Sequence, residues 1–222
     1  MKLVHPDLDR QILFDNSCGC EWVIESPTLF AKYVEELYSQ SEGKDGAFIL
    51  SENDKEIDMG KYMEVIINPF AVNVNDKKIL SKLYMELLEL SVADNLYLLT
   101  QKIKSELQSY MLQLEYISPY MLSMDLETDM TNIMKAMGVK IENYADNYFE
   151  NLVLYIKIMA ELLQKKIVVL VNIGSYIERG QIEQLLVTAM HSEIKLLLIE
   201  NEERNFSSEV IQYIIDKDGC EI

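Results

Sequence analysis

Histidine is almost missing from this chain of 222 residues: only His5 and His191 occur. Each lies in or beside an apolar context with no obvious acid or nucleophile partner, which argues against a hydrolase built on imidazole. Cysteine is scarce too. Cys18, Cys20 and Cys220 are an odd set, and the close pair is separated by one residue where zinc and redox motifs usually have two, so metal or redox use of the thiols is not expected. No run nears the roughly 18 apolar residues of a membrane span, and the start, Met1-Lys2-Leu3-Val4-His5-Pro6, has no signal-peptide core. A cytoplasmic protein with no membrane partner is expected. The phosphate-cradling motif G-x-x-x-x-G-K-[ST] occurs nowhere. Positive charge is also short: 20 Lys and Arg against 37 Asp and Glu leave a net charge of −17, so the chain as a whole repels polyanions. A groove lined by a few lysines still attracts DNA locally while acids face outward, so distribution decides.

What is present centres on residues 147–200, which read as helix, buried strand, polar turn, helix, buried strand. Over residues 147–166 there is no Gly or Pro, and Phe149, Leu152, Val153, Ile156, Met159, Ala160 and Leu163 recur at the spacing of one helix face. Asn147 with Glu150 resembles a capping box, and Lys165 and Lys166 are read as closing the last turn, where the backbone dipole favours cations. Ile167-Val168-Val169-Leu170-Val171 is apolar without alternation, the mark of a strand covered on both faces. Asn172-Ile173-Gly174-Ser175-Tyr176 breaks that run. Residues 181–191 carry a second helical pattern, with His191 as a dipole residue at its end, and Leu196-Leu197-Leu198-Ile199 is a second buried strand. Such a unit implies an open α/β sheet with helices on its faces and ligands beyond the carboxyl ends of the strands. Those ends carry Asn172, Ser175 and Glu200.

Toward the N-terminus, residues 2–14 read as one or two short strands and residues 15–20 as a loop. Trp22-Val23-Ile24 is a short strand, and a helix starts at Ser26-Pro27 with Pro at its first position and stops within residues 39–46. In a P-loop fold the phosphate loop would be Glu25-Ser26-Pro27-Thr28, which has neither the glycines nor the lysine. Ala47-Phe48-Ile49-Leu50 and Met63-Glu64-Val65-Ile66-Ile67 read as strands separated by a charged loop. From residue 76 to about 116 the pattern is helical with a break near Asp94-Asn95, and residues 131–137 form a third helix closed by Gly138. This divides the chain into an α/β head, residues 1–74 and 147–222, and an inserted, extended helical leg, residues 75–146. Two long helices with modest apolar stripes bury little alone, so a partner subunit along the leg is expected. Residues 210–215 are a final strand.

Gly138-Val139-Lys140-Ile141-Glu142, Asp146, Phe149-Glu150, Tyr155-Ile156, the run from Lys165-Lys166 through Asn172, and Ser175-Tyr176 together resemble one family, the CRISPR-associated subtype II-A adaptation proteins. The resemblance covers residues 138–200; before them it rests on length, element order and the turn Met124-Asp125-Leu126-Glu127. It implies a degenerate P-loop-like head with a helical leg. It also implies a homotetrameric ring that threads the ends of double-stranded DNA, structural calcium, and no bound nucleotide or enzymatic activity. The implied role is acquisition of new spacers beside the adaptation integrase complex and the effector nuclease.

Asp125, Glu127 and Asp129 alternate along one short segment, so their oxygens can converge on a hard cation with Glu115 or Glu142 completing the shell. The resemblance assigns calcium to Asp125 and Glu127. The plain alternative is solvated acids at the start of the next helix. Lys77, Lys78 and Lys82, with Lys102 and Lys104, are the densest cations of the leg and the candidates for phosphate contact. Their plain alternative is helix solvation, with Lys82–Glu86 and Lys102–Glu106 as weak pairs. Two rival functions remain: a P-loop-type NTPase or nuclease using Glu200 and the Asn172 turn, and a calcium-responsive acidic scaffold for protein partners.

Overall fold

A computed structural model describes residues 1–14, 19–125, 127, 129–204, 206 and 210–222. The loop expected over residues 15–18, with Cys18, lies outside the described residues, as do Leu126 and Thr128 of the acid-bearing segment. The elements in chain order are β1 (Lys2–Val4), β2 (Ile12–Leu13), β3 (Gly19–Ile24), α1 (Pro27–Ser41), β4 (Ile49–Glu52), β5 (Lys55–Glu56), α2 (Met59–Tyr62), β6 (Met63–Ile66), α3 (Lys77–Ser91), α4 (Asp94–Ile117), α5 (Met130–Ala136), α6 (Tyr148–Glu161), β7 (Ile167–Val171), α7 (Arg179–His191), β8 (Lys195–Glu200) and β9 (Ile211–Ile215). Short 3₁₀ turns lie at Pro69–Ala71 and Ile173–Ser175. The chain divides into two compact units: residues 1–74 with 143–222, and residues 75–142.

The first unit holds two sheets. Five strands pair in parallel in the order β6-β7-β8-β3-β9, and four short strands pair antiparallel in the order β2-β1-β4-β5. Every residue of β7 is buried, as its unbroken apolar run requires of a strand covered on both faces. On one face Cys20, Trp22, Ile24, Val65, Val169 and Leu197 share a core with Tyr33, Val34 and Leu37 of α1 and with Leu3, Ile12, Phe48 and Leu50 around the smaller sheet. Alternation along the strands turns Val168, Leu170, Leu196 and Leu198 the other way, toward α6 and α7, whose Leu152, Ile156, Ile182 and Leu185 are buried. Gly19 is needed there: a Cβ on it would stand 2.7 Å from Leu186 Cδ2 of α7.

Several details depart from expectation for identifiable reasons. Gly19 and Cys20 belong to β3 rather than to a preceding loop, paired with Leu196 and Leu197. The charged loop after β4 contains the hairpin partner β5, reached through Asn53 and Asp54 at φ 50° and 59°, the left-handed pair that a tight two-residue turn demands. His5 does find an acid: its Nε2 lies 3.2 Å from Glu36 of α1, a neighbour 31 residues away that spacing cannot reveal. Asn147 caps α6 by accepting from Glu150 N at 3.0 Å. The Glu150 carboxylate accepts from Asp146 N, one residue earlier than a capping box would have it. Lys165 and Lys166 do not close α6. The helix ends at Glu161 and the chain turns through Gln164 at φ 54°, which carries both lysines past the helix. Lys165, only 4 % exposed, donates to the carbonyls of Gly60 (2.8 Å) and Met63 (2.6 Å) and lies 3.4 Å from Glu64 Oε2.

The second unit comprises α3, α4 and α5. Its contacts are sparse: α3 buries Ile79, Tyr84 and Ser91, α4 only Thr100. Tyr84 donates its hydroxyl to Val139 O at 2.9 Å, and Asn75 brackets Ile141 by donating to its carbonyl and accepting from its N–H. Leu98 is 79 % exposed and Tyr116 91 %, with Leu99, Tyr110 and Ile117 also in the open. Asp76 caps α3 by accepting from Ile79 N at 2.8 Å. Replacing Asp76 by alanine is expected to destabilise the start of α3 by about 1 kcal/mol. Amide hydrogen exchange checks this, with faster exchange at Ile79 and Leu80 and none of the change at α4.

Candidate functional site

The carboxyl edge of the parallel sheet gathers the three polar residues that sequence placed there. Asn172 follows β7 in a left-handed conformation (φ 50°), accepts from Asn201 N through its Oδ1 at 3.1 Å, and starts the 3₁₀ turn that carries Gly174 and Ser175. Glu200 ends β8 with no exposed surface. Its Oε1 accepts from Gly174 N at 2.9 Å, while its Oε2 lies 3.6 Å from Arg204 Nε, and among the described residues neither of these two atoms has a hydrogen-bond partner. Burial raises the Glu200 pKa to about 7, against the opposing pull of the Gly174 N–H and of Arg204.

Two residues that sequence spacing did not flag complete the arrangement. Arg204 donates from Nη2 to Ser175 Oγ at 3.1 Å and pairs with Glu202 at 2.8 Å; its backbone N–H donates to Glu21 Oε1 at 3.2 Å. Glu21, buried in the middle of β3, also accepts from Gln212 Nε2. Burial raises its pKa too, offset in part by those two hydrogen bonds. Phe206 then packs against the Gly174 turn so closely that a Cβ at Gly174 would stand 2.6 Å from its ring. The chain itself therefore fills this edge, and an incoming phosphate would face two buried carboxylates. The β3–α1 turn offers no cradle either: Ser26 makes no side-chain cap, and Pro27 at the first helical position has no N–H to give.

In the second unit, Asp125 and Asp129 line one open groove of about 330 Å³ together with Leu107, Met111, Met124 and Ile133. Asp129 caps α5, accepting from Thr131 N at 2.8 Å. Asp125, Glu127 and Glu142 are exposed and Glu115 is half-buried. Among the described residues no three His, Cys, Asp or Glu side chains come together to hold a metal ion, so Asp125, Glu127, Asp129, Glu115 and Glu142 are not gathered into one site. Lys77 and Lys78 are exposed in the first turn of α3, where the helix dipole disfavours cations, and Lys82 is half-buried one turn on. On α4, Lys104 is half-buried and Lys102 lies 3.8 Å from Glu106, the weak pair its spacing announces. Among the described residues no helix is long and apolar enough to cross a membrane.

A family model described as CRISPR-associated protein (Cas_Csn2) matches residues 38–219, and so spans both units. A protein of Streptococcus agalactiae named CRISPR-associated protein Csn2 is 23 % identical over 98 % of this chain and 96 % of its own. One of the same name from Enterococcus faecalis is 27 % identical over 42 % of this chain and 43 % of its own. The crystal structure of Stu0660 of Streptococcus thermophilus superposes on 96 % of this chain and 74 % of its own with a TM-score of 0.58; at 13 % identity it speaks to the fold.

Proposed function

The chain belongs to the Csn2 family of CRISPR-associated proteins, and on that footing we propose that it is a non-catalytic binder of double-stranded DNA ends that acts in spacer acquisition as a calcium-stabilised homotetrameric ring. The observation that carries the reading is the family match running through both units, which brings the helical unit within the same family as the sheet. The exposed apolar residues of α4 support association of copies, since a lone helix pair gains little from such a surface. Lys77 opposes the dipole of α3, a placement that the dipole does not favour and phosphate contact would explain, and Lys78 lies beside it. With Lys82, Lys102 and Lys104 they would hold the duplex without reading its sequence. Calcium would be held by Asp125, Glu127 and Asp129, with Glu115 or Glu142, water or a second copy completing the shell.

The head is read as a P-loop-like fold without its phosphate loop. Its first parallel strand, β3, lies between β8 and β9 and runs into α1 through Glu25-Ser26-Pro27-Thr28. The rival NTPase or nuclease would need the sheet edge that Arg204 and Phe206 fill. Partners of the integrase and effector-nuclease type, within the same CRISPR system, fit the acquisition role.

Electrophoretic mobility tests the reading. Linear duplex is expected to shift with calcium present and closed circular duplex of the same sequence to shift far less, because a ring needs an end to thread. Sedimentation is expected to give four copies with calcium and fewer without. Equal affinity for the two DNA forms removes the end-threading claim, and an unchanged subunit number removes calcium from it.

A further inference from the structure

On the first unit, three aromatic rings meet in the open. Phe70 is 57 % exposed and Tyr176 45 %, and Tyr148 and Tyr176 both pack on Phe70: the Phe70 centroid lies 4.8 Å from that of Tyr148 and 5.1 Å from that of Tyr176. The rings come from three separate places, the 3₁₀ turn after β6, the first residue of α6 and the turn after β7. Their frame is stiff. Asn68 Oδ1 accepts from Phe70 N at 3.0 Å, Asn151 of α6 donates to Val72 O at 2.9 Å, and the Tyr148 hydroxyl donates to Tyr176 O. Two large rings held in water at fixed angles contribute little to the core, and such preset aromatic surface is what partner-binding hot spots are made of.

The surrounding charge selects the partner. Asp146 and Glu150 flank Tyr148 by two residues each and Glu178 lies two beyond Tyr176; all three are exposed, and among the described residues none is neutralised by an ion pair. Two cations beside the Tyr176 turn are already engaged: Arg179 lies 3.8 Å from Glu183, and Arg204, which donates to Ser175, lies 2.8 Å from Glu202. Exposed acids this near along the chain disfavour a phosphate backbone. They would also repel each other if the same patch met itself across a two-fold axis. They attract a guanidinium or ammonium, which binds the ring faces as well. We propose that Phe70, Tyr148 and Tyr176 form a docking site for a basic segment of a partner protein, with an arginine or lysine side chain laid on the rings and the three acids around it. Tyr176 closes the turn that carries Ser175 at the sheet edge, but none of the three rings is among the residues assigned to DNA, and the proposal stands apart from the DNA reading.

Fluorescence anisotropy on the full chain tests it, using a short labelled peptide that alternates arginine with glycine, its citrulline counterpart, and a single-stranded oligonucleotide, at near-physiological salt to screen diffuse attraction. The arginine peptide is expected to bind the wild type and to bind Phe70→Ala and Tyr176→Ala about tenfold more weakly, the loss of roughly one ring's cation–π contact. Phe70→Tyr and Tyr176→Phe, which keep the rings, are expected to bind as the wild type does, and the citrulline peptide to bind at least about tenfold more weakly. No binding of the arginine peptide, or equal binding by the alanine variants, overturns the proposal. So does citrulline binding as well as arginine. Ring-dependent binding of the oligonucleotide instead would make the patch a base-stacking platform, and a change of subunit number in Phe70→Ala without peptide would make it a contact between copies; either overturns it.

Discussion

Replacing Lys165 by alanine is expected to destabilise the first unit by about 3–5 kcal/mol, the range for removing one member of a buried ion pair. The ammonium donates to Gly60 O and Met63 O and faces Glu64, joining the segment after α6 to α2 and β6 across about a hundred residues of chain. Without it two carbonyls lose that donor, and the Glu64 carboxylate, which accepts from the Tyr155 hydroxyl at 3.0 Å on its Oε1, loses its facing cation. The double variant Lys165→Met with Glu64→Gln, which removes both charges and keeps most of the volume, is expected to recover a large part of the loss. Urea denaturation followed by fluorescence of Trp22, the single tryptophan, reports on this unit alone. A loss below about 1 kcal/mol for the alanine variant would mean the contacts contribute no more than an ordinary surface pair.

Stability of the same unit is expected to fall as pH rises from about 4.5 to about 7, the reverse of the usual acid response. Glu200 titrates near 4.5 in the unfolded chain and at about 7 when folded, so across that window the folded state binds more protons. The contribution is complete below 4.5, disappears as pH rises through 7, and is flat beyond. The gap of about 2.5 pH units between 4.5 and about 7, at about 1.4 kcal/mol per unit, comes to about 3.5 kcal/mol. Glu21, raised for the same reason, acts with the same sign. Urea midpoints read by Trp22 fluorescence across this range give the slope, and Glu200→Gln is expected to flatten most of it. A variant that keeps the full slope would assign the protons to another group.

Sequence announced what local chemistry dictates. β7 and β8 were legible because a strand buried on both faces has no alternation to hide, and the caps at Asn147 and Asp129 because an Asx side chain reaches only the next few amides. The turn carrying Asn172 and Ser175, with Glu200 beside it, was legible as a sheet edge because ligand edges follow from strand direction. Pairings across long stretches of chain were not. Arg204 sits behind two glutamates and looks like an ordinary surface base, while its backbone reaches Glu21, 183 residues earlier. Glu21 hid in the same way, since an acid beside Gly19-Cys20 suggests a loop until β8 and β9 are seen to enclose it. Lys165 was misplaced because the helical pattern runs on beyond the residue where the backbone turns; only the left-handed Gln164 reveals the end. The Phe70 cluster left no sequence signal, being assembled from three separate turns.

The neighbours of β3 carry a consequence for how the molecule is made. Among the described residues this strand pairs with β8 and β9 alone, which leave the ribosome some 170 residues and more after it. Through most of synthesis, then, Cys20, Trp22, Val23 and Ile24 have no sheet partners and two open edges, and the whole helical unit is translated in the interval. High contact order of this kind slows folding and leaves nascent hydrophobic strands as templates for aggregation. Expression yield is thus expected to respond more to chaperone supply and temperature than the stability of the finished fold would suggest.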